Sequence, residues 1–286
     1  SDNMNIIAFI FLSFVCARVY SERDHPRNHA YWKSFENLEK RLCKEGSRQS
    51  PINIEKDKVI KAKFKPFHFE NYDAEVNASM SNNGHSIVLE IKQSTKHTSL
   101  PRISYGGLGG TYEIQELHFH WGINYNEGSE HRISGTSFPI ELHMVHKKVG
   151  DKFDKNSMDL NEFAILSMMF QISTSQNSKL EPIIEGIHEL REKEINRTLI
   201  KLQMNKILPR NVTEFFRYEG SFTVPSCNET VIWTVFKEPL NISKYQLYLF
   251  KQFKYPNSTT RIMNNYREVQ PLNGRIVFDV TTDKLI

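Results

Sequence analysis

Apolar and polar residues alternate with period two along several stretches of the chain, the mark of half-buried strands. Ser86 to Lys92, Tyr112 to Trp121, Pro139 to Val149 and Thr230 to Phe236 read this way, and Arg275 to Val280 reads as a last strand. Phe163 to Ile172 is a nearly continuous apolar run, which predicts a central strand buried on both faces. Two stretches follow a helical period instead. Ser178 to Ile195 places Leu180, Ile183, Ile184, Ile187 and Leu190 on one face, and Lys244 to Phe253 carries Leu247 and Phe250. Strands dominate and helices are peripheral, so the expected fold class is mostly β (α+β), with a large sheet that carries its site on one face.

Within that pattern, Leu117-His118-Phe119-His120-Trp121-Gly122 sets two histidines two residues apart, and Ile140-Glu141-Leu142-His143-Met144-Val145-His146 sets His143 on a strand of its own. Side chains at i and i+2 of a strand share a face, so His118 and His120 project together. The intervening residues 123–137 are rich in turn formers and suit a long hairpin connection. Antiparallel neighbours would then bring three imidazoles to one point, the donor set of a catalytic zinc site with one position left open. A lone strand histidine is more often a hydrogen-bonded core residue. Three buried side by side without a metal would leave several polar nitrogens needing partners.

The N-terminal apolar run Ile6 to Ala17 is too short to span a bilayer comfortably, and small residues and then Glu22-Arg23-Asp24 follow it. Residues 1–21 are therefore read as a short extension plus a signal peptide cleaved after Ser21, which implies secretion. No repeat or Pro/Gly-rich linker divides residues 22–286, and an aromatic content of 12% supports one sizeable core, so one domain is expected. Of three cysteines, Cys16 leaves with the signal, and Cys43 and Cys227 are expected to pair in an oxidising compartment. Sequons at Asn77, Asn196, Asn211, Asn228, Asn241 and Asn257 are glycosylation candidates on that route. The net charge of +4 is spread among interspersed acids and bases, without the basic run of a nucleic-acid footprint. The tail Asp283 to Ile286 follows no hydrophobic segment, so no membrane anchor is expected, and the chain is read as a monomer.

Residues 40–280 resemble the α-class carbonic anhydrases. The matching stretches run in the family's order: Arg48 to Ile54, Asn82 to His85, Leu117 to Gly122, Gly128 to His131, Glu141 to His146, Gly220 to Pro225, Asn265 to Arg267 and Gln270 to Leu272. The resemblance implies a mainly antiparallel, twisted β-sheet with a conical cleft, and makes 22–286 the catalytic domain. It implies a Zn²⁺ on His118, His120 and His143 that lowers the pKa of bound water to about 7, a value known from this family itself. The resulting hydroxide attacks CO₂ to give bicarbonate. Thr223 matches the gatekeeper whose hydroxyl donates to Glu130, and His85 matches the proton shuttle, with Asn83 ordering the waters between. An imidazole suits that task because it titrates near neutral pH. Glu116 and Glu141 would accept the outward N–H groups of the ligands. Val145, Ile165, Phe222, Val224, Val231 and Trp233 would line the CO₂ and bicarbonate pocket.

Several positions depart from the family pattern. Glu116 stands where a glutamine is usual, Phe222 where a leucine is common and narrows the pocket, Val224 at a usually polar position, and Ser226 for a proline. Cys43 is displaced by one residue, while Cys227 is in register. None removes a ligand, the gatekeeper or the shuttle, so they bear on rate rather than on activity. A catalytically weak secreted binding protein is the alternative when such a fold loses ligands, and here all three are present. A zinc peptidase lacks its signature, since no His-Glu-x-x-His occurs.

Overall fold

The structure is a computed structural model that describes residues 38–93, 99–150, 161–193, 196–255 and 258–282. The expected signal segment, Cys16, Ile195, the sequon at Asn257 and the tail from Asp283 lie outside them. The chain opens with helix α1 (Leu38–Glu45), then β1 (Asn53–Ile54), β2 (Ile60–Phe64), β3 (Phe67–Glu70), β4 (Glu75–Asn82), β5 (Ile87–Lys92) and β6 (Arg102–Tyr105). The long pair β7 (Thr111–Trp121) and β9 (Ile140–Val149) flanks the short β8 (Arg132–Ile133), and β10 (Phe163–Ser173) follows. After a 3₁₀ turn at Ser178–Leu180 come α2 (Glu181–Glu192), β11 (Arg197–Gln203), α3 (Met204–Ile207), β12 (Glu214–Gly220), β13 (Val231–Phe236), β14 (Leu240–Ser243), α4 (Lys244–Phe250) and β15 (Phe278–Thr282).

The main sheet runs β11-β4-β5-β7-β9-β10-β13-β12-β15-β2, with β14 pairing β10 and β6 joining β3 to β7. Most neighbours are antiparallel; β10 pairs β13 and β14 in parallel, and β15 pairs β2 in parallel. β1 and β8 form a separate parallel pair. One face of the sheet buries Ile114, Leu117, Phe119, Leu142, Leu166 and the inward residues of α2 and α4. The other face buries a smaller cluster around Val145, Ile165, Phe216, Tyr218 and Trp233.

A β-bulge between Ile114 and Glu116 decides which residues of β7 reach that second face. Before it Tyr112 and Ile114 are core residues, and after it Leu117, Phe119 and Trp121 are. One extra residue, Gln115, switches the parity without exposing the core. Glu116, His118 and His120 are thereby turned together away from the main core.

Local chemistry explains the helices. Pro182 stands in the first turn of α2, where its missing N–H costs nothing. Gly186 lets α2 lie close on the sheet, since a Cβ there would sit 2.6 Å from Met80 Sδ and 2.9 Å from Ile200 Cγ2. Ser243 and Gln246 close a reciprocal capping box at the start of α4.

The structure corrects four expectations. The α2 stretch begins as a 3₁₀ turn and is α-helical only from Glu181, and α4 ends at Phe250. β13 is buried at every position rather than alternately, because β10 and β12 flank it and a core cluster covers each face. The last strand begins at Phe278, not Arg275. Asn273 and Gly274 take left-handed backbone (φ 52° and 75°), and the Arg275 guanidinium turns back to donate to the carbonyls of Gln49, Glu219, Pro271 and Leu272.

Candidate metal and catalytic site

His118 on β7 stands directly opposite His143 on β9 in the antiparallel ladder. His118 Nε2 and His120 Nε2 each lie 3.2 Å from His143 Nδ1. The other nitrogen of each ring meets an acceptor. His118 Nδ1 is 3.1 Å from Glu116 Oε1, His120 Nδ1 is 2.8 Å from the Asn265 carbonyl, and His143 Nε2 is 2.6 Å from Glu141 Oε1. Carbonyls and carboxylates can only accept, so each outward nitrogen carries the proton and each inward nitrogen presents a lone pair. Burial pushes His120 down to about 3 and His143 to about 4, so both are neutral near pH 7, the form that ligates.

Three lone pairs aimed at one another are unfavourable without a cation between them. Tetrahedral zinc with nitrogen ligands at roughly 2.0–2.1 Å sets those nitrogens about 3.3 Å apart, which the observed spacing fits. The donor set is thus suited to zinc. A second acid–imidazole group, His131, Glu141 and His143, also lies within ligating reach. Its atoms are already spent on one another. His131 Nδ1 donates to Glu141 Oε1 at 2.7 Å, the His131 backbone N–H donates to Glu141 Oε2 at 2.9 Å, and His131 Nε2 lies 2.6 Å from the Tyr218 hydroxyl. That group supports the triad. Burial alone would raise the pKa of Glu141, but His131 and His143 hold it well below the usual carboxylate range.

Glu130 is buried beside the triad, with Oε1 accepting the Arg267 backbone N–H at 2.8 Å. Its Oε2 lies 3.9 Å from His143 Nδ1 and has no partner of good hydrogen-bond geometry among the described residues. The buried Thr223 hydroxyl faces this carboxyl closely enough to pull its pKa down, against a larger upward push from burial. The apolar candidates gather on one wall: Val145, Ile165, Val231 and Trp233 share a buried cluster, and Phe222 packs on it, edge to face with Phe163 at 4.9 Å. Val224 is half-buried on the Thr223 loop, where its carbonyl accepts the Cys227 N–H.

His85 is half-buried on the turn between β4 and β5. Asn83 Oδ1 accepts the backbone N–H groups of His85 and Ser86 at 2.9 and 2.8 Å, so that oxygen shapes the turn. Asn265 ties the turn to the triad: its Nδ2 donates to the His85 carbonyl, and its own carbonyl accepts from His120. Cys43 and Cys227 form a disulfide, with Cα atoms 5.1 Å apart. Sequence reasoning quoted His131, Asn265 and Arg267 inside motifs without giving them roles. It missed Ser167, set in the apolar run of β10, and Tyr218, on the mixed strand β12, neither of which carries a local signal.

The sequence model of the eukaryotic-type carbonic anhydrase family matches residues 27–281, and the chain belongs to that family. It is 36% identical over 244 residues to carbonic anhydrase 4 of Rattus norvegicus, covering 82% of this chain and 76% of the relative. It is 36% identical over 234 residues to putative carbonic anhydrase 5 of Caenorhabditis elegans, covering 82% and 75%. Carbonic anhydrase 12 of Homo sapiens is 33% identical over 245 residues, covering 82% of this chain and 66% of that protein. The family is zinc-dependent, and the chain is a carbonic anhydrase.

Proposed function

We propose that the chain hydrates CO₂ to bicarbonate outside the cell, with His118, His120 and His143 holding zinc and His85 exporting the proton. The observation that carries the reading is the convergence of three imidazole nitrogens, each ring fixed by an acceptor behind it. Zinc bound there supplies the Lewis acidity that makes water a nucleophile near neutral pH. The protein does the rest by positioning. Thr223 donates its proton to Glu130, so its oxygen keeps a lone pair to orient the attacking water toward the apolar wall. Val145, Val231 and Trp233 there exclude bulk water and accept an apolar gas. His85 takes up the released proton at the rim of the site and passes it to buffer.

The disulfide supports an oxidising compartment. Asn196, Asn228 and Asn241 are exposed, as glycan attachment requires, whereas Asn77 is half-buried within β4 and the Asn211 side chain is bonded to Glu214 and Thr213. Among the described residues no helix is long and apolar enough to cross a membrane. Residues 22–286 act as one catalytic domain after removal of 1–21. The test is metal content and CO₂ hydration of purified protein beside His143→Ala. The variant is expected to lose zinc and activity together; full zinc occupancy with normal turnover in it would refute the ligand set.

A further inference from the structure

Ser167 is fully buried on β10, directly across the ladder from His143 on β9. Its hydroxyl donates to Glu141 Oε1 at 2.6 Å. The same oxygen accepts His143 Nε2–H at 2.6 Å and His131 Nδ1–H at 2.7 Å, while among the described residues Oε2 accepts the His131 backbone N–H alone. A carboxylate offers about four lone-pair sites over its two oxygens. Three donors on one oxygen must share its density. Hydrogen bonds to a charged acceptor are strong, so the serine's portion is not negligible. His131 already anchors both carboxylate oxygens, so the serine is not needed to hold Glu141 in place. What it can change is how much negative charge Glu141 lends to His143.

We propose that Ser167 is a positioning residue that competes with His143 for Glu141 Oε1 and so weakens the bond behind the ligand, making His143 a milder donor to the metal. The inference rests on the metal reading above. Without the hydroxyl, Glu141 pulls harder on the His143 N–H, the ring becomes more electron-rich, and the metal is held more tightly.

The test uses the full-length holoprotein with Ser167→Ala, Ser167→Gly and Ser167→Thr. The first readout is zinc release to excess chelator. Release from the Ala and Gly variants should slow by about threefold, less than the roughly tenfold or greater change that follows loss of a ligand's own partner. The second is the visible spectrum of the cobalt-substituted proteins. Its bands should shift alike in the Ala and Gly variants and return to the wild-type position in the Thr variant, which keeps a hydroxyl. Wild-type release rates and spectra in the Ala and Gly variants would overturn the role of Ser167 while leaving the metal site standing. Faster release with a lowered melting temperature would overturn it too, showing a hydroxyl that merely braces the core. A wild-type protein that takes up no zinc would remove the metal reading, and this inference with it.

Discussion

His143 and His146 leave opposite faces of one strand and meet different fates. His143 faces the site, while His146 points into the main core, where Nε2 lies 2.6 Å from the Tyr72 hydroxyl and Nδ1 lies 3.0 Å from the Met144 carbonyl. Burial pushes His146 down to about 3. The unfolded chain protonates this ring near its ordinary value of about 6.5. Between those values only the unfolded state binds the proton. Stability is therefore complete above about 6.5 and falls as pH falls, by about 1.4 kcal/mol per unit from this group. His146→Gln is expected to be less stable at neutral pH but to lose stability less steeply between pH 6 and pH 5, measured by denaturant titration of metal-free protein. Equal slopes would mean that the native core already accommodates a charged His146. At this scale the sequence was informative about side chains and silent about backbone. Parity set the three histidines on one face, and the resemblance named both carboxylates behind them. The acceptor for His120 is a main-chain carbonyl, and any residue type at position 265 carries one.

Elements set which of those residues can meet. The bulge at Gln115 is the device that lets β7 keep an apolar core face and still present Glu116, His118 and His120 together. Period two alone extends across Tyr112 to Trp121 and hides the slip; only the adjacent polar pair Gln115-Glu116 hints at it. The β4–β5 turn is a second device. Asn82 and Asn83 side chains bond the backbone of Gly84, His85 and Ser86, and Gly84 takes a φ of 86° that suits glycine. His85 thus stands, half-buried, on a fixed backbone. His85→Ala should lower kcat in dilute buffer, with partial recovery on adding imidazole; an unchanged kcat in dilute buffer would assign proton export to another route. Helices α2 and α4 were legible because their apolar residues follow a regular helical spacing, whereas the short α1 and α3 were not read. Strands such as β2, β3 and β6 were not legible either: they alternate, but over only four or five residues, too short for the alternation to stand out from chance.

The molecule as a whole hangs its site on a sheet with a large core on one face and a small one on the other, and the fold class was readable because strands of period two recur along most of the chain. The order of the sheet was not, because pairing β2 with β15 depends on contacts that local periodicity never records. The disulfide spans a separation of 184 residues between α1 and the Thr223 loop. Denatured, unreduced protein should show no titratable thiol from this pair, and replacing both cysteines by serine should cost about 2–5 kcal/mol of stability in denaturant melts. Two reactive thiols in the unreduced chain would contradict the bond. Asn265 carries a link of another kind, from a late segment to a ligand. It receives His120 on its carbonyl and the Trp121 N–H on its side chain, from 145 and 144 residues downstream. A ribosome therefore makes both strands of the metal site long before it makes the group that fixes one ligand's tautomer. The ligand and the carbonyl that orients it are thus distant in the chain and meet only once the fold brings them together.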